Sequence, residues 1–267
     1  MKKNKTISDF GHQWRIHGSL DNDYWTSNEM FLSHFRNSTP PFVSLQNKCV
    51  ADVGSGSGRI VSMLLRFNPK SIYGIEPSQG FFKLKENLKN VDNLILLNQK
   101  AEEFCIPNGA DFIFSLGVIH HIPNPGEAVK NIYENLKSDG YFVMWLYGYE
   151  NNEIYVLFQK LLRPLIRLLP DYLLNALSFM LTYLVDFYLK LSEICFANKL
   201  PLSNYLKSIF YKCGRKEKKY IIFDQLNPSY AKYYKRQEVL DLLSRAGFTK
   251  IDLYHRFSYS WTAVAQK

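Results

Sequence analysis

Val50–Ile60 reads VADVGSGSGRI. An apolar strand reaching Asp52 and Val53 runs into Gly54, Gly56 and Gly58, and Ile60–Leu65 (IVSMLL) continues as a helix. Glycine answers two needs at such a junction: the chain turns sharply where a β-carbon would clash, and the backbone comes close to a bound ligand. The spacing is G-x-G-x-G with an acid two positions ahead of the first glycine, unlike the G-x-G-x-x-G of dinucleotide turns. Strand, glycine-rich turn and helix in that order predict the first unit of an α/β sheet.

Ser71–Glu76 (SIYGIE) reads as a second strand, short, apolar and ending on an acid. Glu76 lies 18 positions past Gly58, near where a nucleotide-binding βαβ unit places its ribose-binding carboxylate. Hydrogen bonds to such a charged group are worth roughly 1.5–3 kcal/mol each.

Two motifs carry a family resemblance. Asp52–Gly58 resembles the first motif of S-adenosylmethionine-dependent methyltransferases. Asp111–Pro125 (DFIFSLGVIHHIPNP) is similar to the fourth motif of the small-molecule enzymes of that class, the type 11 group that includes quinone-biosynthesis methyltransferases. The resemblance covers 48–149 and 235–267. It implies a Rossmann-like α/β fold, a doubly wound, mostly parallel seven-stranded sheet, with S-adenosylmethionine as cofactor. By the same resemblance Asp52, Gly54, Ser55, Gly56 and Gly58 surround the donor's amino-acid moiety and Glu76 meets the ribose. Ala101 and Glu102 border the adenine, and Ser115, Leu116 and Gly117 lie along the methionine side. Lys100 departs from the pattern, standing where an Asp is common.

The chain divides into an N-terminal extension (1–47), a cofactor-binding α/β core (48–150), a helical insertion (151–220) and the end of the core (221–267). The extension bunches Phe10, His12, Trp14, His17, Tyr24 and Trp25 ahead of the first strand, then Met30, Phe31 and Phe35 on a helix ending before Pro40-Pro41. It either folds over the cofactor as a lid or packs on the sheet. Further strands are expected at Leu94–Leu97, Asp111–Leu116, Tyr141–Leu146, Phe248–Leu253 and Ser258–Ala265, with Ser138-Asp139-Gly140 a turn. Asn124 and Pro125 open a helix with a capping side chain and proline at the first turn.

In the insertion, Lys160, Arg163 and Arg167 recur beside Leu157, Leu161, Leu165 and Leu168. That describes a basic amphipathic helix bent near Pro164. Asp171, Asn175, Ser178, Thr182 and Asp186 then form a polar stripe on an otherwise apolar helix. The charge-free run Tyr172–Val185 is 14 residues, shorter than the roughly 20 needed to span a bilayer, so no transmembrane segment is expected. The segment 152–200 is either a cap on the core or a surface for a membrane or a lipid-linked substrate.

A formal charge of +9 suggests affinity for something anionic and says nothing about fold. Cys49, Cys105, Cys195 and Cys213 are widely spaced with no C-x-x-C, which predicts a cytoplasmic chain without a metal site or disulfide framework. The N-terminus is basic but no apolar run follows, so no signal peptide is expected.

Methyl transfer from a sulfonium is an in-line displacement, and alignment is the protein's main task. A base helps where the nucleophile loses a proton, and His120 and His121 at the mouth of strand four are the candidates. The fourth motif points to a small-molecule acceptor, a sugar, lipid-linked glycan or quinone-like ring; no RNA-binding module is legible, so a nucleic-acid partner is not expected. The alternatives are an RNA methyltransferase, a nicotinamide oxidoreductase and a non-catalytic protein working at a membrane through its insertion.

Overall fold

The computed structural model describes residues 2–18, 20, 27–35, 45–166, 168–194 and 203–267. Tyr24, Trp25, Pro40-Pro41, Arg167 and Cys195 lie outside them. The sheet has seven strands in the order β3-β2-β1-β4-β5-β7-β6. β1 (Cys49–Val53), β2 (Ser71–Ile75), β3 (Leu94–Leu97), β4 (Ala110–Leu116) and β5 (Leu136–Tyr147) are parallel. β7 (Ser260–Gln266) runs antiparallel between β5 and β6 (Lys250–Arg256). Strand order reverses at β1/β4, where an open α/β sheet leaves a crevice at the strands' carboxyl ends. The glycine turn after β1 and the Gly117 turn after β4 both sit at that point.

Helices cover both faces. α1 (Lys2–His17) and α2 (Asn28–Leu32) precede the sheet; α3 (Arg59–Leu65), α4 (Gly80–Asn87) and α5 (Pro125–Glu134) alternate with its strands. α6 (Glu153–Ile166), α7 (Asp171–Ile194), α8 (Ser203–Phe210) and α9 (Arg215–Leu226) follow β5, and α10 (Arg236–Ala246) precedes β6. One apolar cluster sits between the sheet and α5 with α10, around Ile113, Ile132, Phe142 and Leu243. The other sits under α3 and α4, around Val61, Leu64, Leu84 and Phe114. Strands buried on both faces explain the continuous apolar runs of the sequence.

The structure corrects several local expectations. Ser138–Gly140 does not precede β5 but lies within it, as an irregularity where the register with β4 shifts between Ala110 and Phe112. Asp139 takes φ 61 there. Asn124 sits at the N-cap of α5 without a side-chain cap bond, leaving Pro125 as the starting signal. Tyr254–Arg256 belong to β6, and the hairpin turn falls at Phe257 and Ser258, both with positive φ. α6 continues through Pro164 to Ile166, the missing N–H falling in its last turn. The charge-free run understates α7, because the helix extends on both sides of it. Tyr172–Glu193 is long and apolar enough to cross a membrane by length and composition. Among the described residues there is no His, Cys, Asp and Glu cluster that could hold a metal.

Candidate active site

The turn after β1 is tied to the end of β2 by its backbone. The N–H groups of Gly54 and Ser55 both donate to the Ile75 carbonyl, at 2.8 and 3.0 Å. Glu76 completes the junction: its carboxylate accepts from the backbone N–H of Gly56 and of Ser78, each at 2.8 Å. Burial raises its pKa, opposed by the Ser78 side chain and then by those two backbone bonds. Asp52 is buried at 1% exposure with Oδ2 unpartnered. Burial pushes its pKa up to about 7, opposed by Ser55 and the Arg59 charge.

The three glycines take positive φ, 81°, 56° and 98°. What approaches them is the chain itself. A β-carbon on Gly54 would lie 2.4 Å from Val118, one on Gly56 2.8 Å from the Trp14 ring, and one on Gly58 2.8 Å from Leu84. The sequence motif signals a close approach correctly, but the intruders at these positions are protein side chains.

After β4, Gly117 turns at φ 84 and its N–H donates to Trp145 O at 3.0 Å. A short 3₁₀ turn, Ile119–His121, follows. His121 Nδ1 lies 2.8 Å from the Tyr230 carbonyl, so this nitrogen carries the proton and Nε2 is left to accept. Burial lowers the His121 pKa to about 4; the Tyr230 bond opposes that shift and the Arg163 charge adds to it. His120 is fully buried, its ring 3.8 Å from that of Tyr147, with neither ring nitrogen hydrogen-bonded. Its pKa is driven well below the ordinary value by burial, then by His121.

One cavity of about 350 Å³ runs from the glycine turn to the insertion, within the usual range for small-molecule sites. Gly54, Ser55, Glu76, Ala101, Glu102, Leu116, Gly117 and His121 line it; Asp52, Gly56, Gly58, Ser115 and His120 stand behind its wall. Ser115 is occupied structurally, its hydroxyl donating to Val53 O at 3.2 Å.

The sequence reading missed the far wall. Tyr147, Asn152, Tyr155, Tyr233 and the α9 residues Tyr220, Ile221, Asp224 and Gln225 also line the cavity. A polar chain links them: Gln159 Nε2 donates to Tyr155 Oη at 2.6 Å, Tyr155 Oη to Gln225 Oε1 at 3.2 Å, and Gln225 Nε2 to Tyr147 Oη at 2.9 Å. α1 closes the cavity from above with Thr6, Ile7, Phe10 and Trp14. Gln13 Nε2 donates to Asp224 Oδ1 at 2.7 Å, and Asn227 Nδ2 to Gln13 Oε1 at 3.0 Å. The Asp9 carboxylate accepts from the Ser229 N–H at 2.9 Å. α1 also meets the start of α4 closely: a β-carbon on Gly11 would touch Gln79, and one on Gly80 the Trp14 ring, each at 3.0 Å.

Residues 51–144, from β1 into β5, match the family model described as a methyltransferase domain. Those residues are a methyltransferase domain by that match. The methyltransferase domain has curated relatives: the tRNA U34 carboxymethyltransferase of Helicobacter pylori J99 is 35% identical over 115 residues, 41% of this chain and 42% of that protein. Its Pseudoalteromonas atlantica counterpart is 29% identical over 147 residues, 54% of this chain and 44% of that protein. The chain therefore spans less than half the length of these relatives. Among solved structures, magnesium protoporphyrin IX methyltransferase from Synechocystis PCC 6803 with bound SAH superposes with a TM-score of 0.54 at 12% identity, covering 99% of this chain and 97% of that one. At that identity the likeness shows the shared fold.

Proposed function

We propose that this chain transfers a methyl group from S-adenosylmethionine to an acceptor held in the same cavity. The observation that carries the reading is the continuity of that cavity from the glycine turn and Glu76 to His121 and the tyrosines of the insertion. The residues fit the cofactor. Glu76 already aligns its carboxylate with two backbone donors and keeps lone pairs for ribose hydroxyls. Asp52, with Oδ2 unpartnered behind the turn, is held largely protonated by burial, and a cationic ligand nearby would favour its ionised form. Ala101 and Glu102 would border the adenine, and Gly54, Ser55, Leu116 and Gly117 the amino-acid portion.

When bound, the cofactor supplies a methyl group already activated on a sulfonium. The chain's own share is alignment, which accounts for about 7–11 kcal/mol in well-oriented reactions. Tyr155 and Tyr233 offer ring surface to an apolar or aromatic acceptor, Tyr147 being packed against the rings of His120 and Tyr233, with Asn152 and Gln225 to orient it. His121, held through Nδ1, presents Nε2 as the acceptor for a proton leaving the nucleophile, and α1 excludes water. The small-molecule acceptor read from the fourth motif rests on this enclosed, aromatic chamber.

The curated relatives favour a second reading: their names specify tRNA, which with the +9 charge supports an RNA acceptor better than the fourth motif supports a small one. Two measurements test these readings. Calorimetry with S-adenosylhomocysteine should show Glu76→Ala binding at least tenfold more weakly than wild type; equal affinity would remove the ribose assignment. Titration with bulk tRNA should give affinity falling steeply with salt if RNA is the acceptor; indifference to tRNA at low salt returns the acceptor to the small-molecule class.

A further inference from the structure

We infer that the outward face of α6 and α7 is a docking surface for an anionic lipid bilayer. The first observation is that α7 is built inside out. Its polar stripe faces the protein: Ser178 and Thr182 are fully buried and Ser192 is 4% exposed. Their hydroxyls donate to backbone carbonyls of their own helix, at 2.8 Å to Leu174, 2.6 Å to Phe179 and 2.7 Å to Leu189. Asp186, the charge in the middle of the helix, is bound by Lys218 at 2.6 Å. Leu174 and Leu189 are buried beside that stripe, but a second set of apolar side chains points the other way, with Tyr172, Met180, Leu184 and Phe187 between 60% and 71% exposed. A helix facing water shows the opposite arrangement. Asn175 Oδ1 is the exception in the stripe, buried without a partner; the bonded hydroxyls and the paired Asp186 are what an apolar surrounding demands.

α6 adds a second stripe. Ile154, Leu157, Phe158, Leu161 and Leu165 are 57–77% exposed, and their 3, 1, 3, 4 spacing puts them on one side of the helix. Exposed apolar side chains on this scale mark an interaction surface. α7 is buried on one side from Leu174 to Ser192, and over its second half α8 and α9 hold it, where Leu189, Phe210, Ile221 and Ile222 form one cluster with Leu181 and Val185 against it. The helix therefore lies along the domain, which fits insertion into the headgroup region of one leaflet.

Charge selects the occupant. Residues 151–220 carry eleven Lys and Arg against five Asp and Glu. Lys160 on α6 and Lys190 on α7 are exposed, as are Lys212 and Arg215, which pair with Glu29 and Asp186. An isologous contact with a second copy would bring two basic rims together, whereas anionic headgroups complement them. The inference is independent of the acceptor, since none of these outward side chains lines the cavity.

Vesicle flotation of the full chain provides the test, using phosphatidylcholine alone and phosphatidylcholine mixed with phosphatidylglycerol. Wild type should float with the anionic vesicles and at least tenfold less with the neutral ones. Met180→Glu/Leu184→Glu/Phe187→Glu should abolish flotation while keeping the wild-type melting temperature and S-adenosylhomocysteine affinity. If the triple variant melts lower, Leu157→Glu/Leu161→Glu on α6 provides the same readout from the other helix. A wild-type chain that stays at the bottom with both vesicle types overturns the inference. So does light scattering showing a dimer that the triple variant dissociates, or binding to tRNA without binding to vesicles.

Discussion

Replacing Asp52 with Asn should stabilise the ligand-free protein at neutral and alkaline pH while weakening its hold on the cofactor. The carboxyl is buried with one oxygen unpartnered, and its pKa rises from an ordinary 3.8 to about 7. In the unfolded chain the group ionises near its ordinary value; in the folded chain it stays protonated until about pH 7. Between those values the folded state binds more protons, so stability falls as pH rises and the loss is complete above about 7. A shift of about three units at 1.36 kcal/mol each puts the loss near 4 kcal/mol, a large part of a domain's 5–15 kcal/mol. Asn keeps the shape and removes the ionisation. Urea unfolding of both proteins should therefore give similar stabilities near pH 4 and a variant more stable by about 2–4 kcal/mol near pH 8. Calorimetry on the same samples should show the cofactor product bound more weakly by the variant. A stability difference that does not change with pH would refute the burial argument, because only ionisation gives it that dependence.

Three further outcomes follow from the geometry. His121→Gln should lower the methylation rate by about 10²–10⁴-fold for an acceptor that loses a proton, measured against an acceptor that does not; equal losses would make His121 a positioning residue. On the acid side, the lowered pKa of His121, about 4 against 6.5, together with the lowered values of buried His34 and His120, means stability present above about pH 6.5 is lost as pH falls towards 4. Because the raised pKa of Asp52 acts with the opposite sign over the same range, the test is the difference between the two proteins: the stability of His121→Gln relative to wild type should rise as pH falls from about 6.5 towards 4 in thermal melts. Gly56→Ala combines φ 56 with a β-carbon 2.8 Å from Trp14, and should cost about 2–4 kcal/mol in urea unfolding; a smaller cost would mean that Trp14 moves aside freely.

The sheet was legible because its strands are buried on both faces and read as apolar runs closed by turn signals. Gly54, Glu76 and Gly117 were legible for a related reason, since each sits where a strand ends at the crevice. Gly56 shows the limit of such reading: a glycine announces that something comes close without saying what, and here it is Trp14 from 42 positions earlier. Asp224 and Gln225 were invisible because α9 interleaves apolar and polar residues without a stripe, and their partners Gln13 and Tyr147 are distant in the chain. The stripe on α7 was read correctly as a pattern, but the periodicity of a helix is the same whichever face turns inward. Only the packing of α8 and α9 reveals which side that is.

The narrow gap between α1 and the start of α4 makes closure of the chamber sensitive to two positions that never meet a ligand. Gly11 and Gly80 each leave out one methyl group, and with it the spacer that would hold the two helices apart. Restoring the one at Gly11 would prop the roof open by a few tenths of an ångström through Gln79, which does not line the chamber, whereas one at Gly80 presses on the lining Trp14 ring. How fast the spent cofactor escapes is then separable, by a single alanine, from how tightly it is recognised.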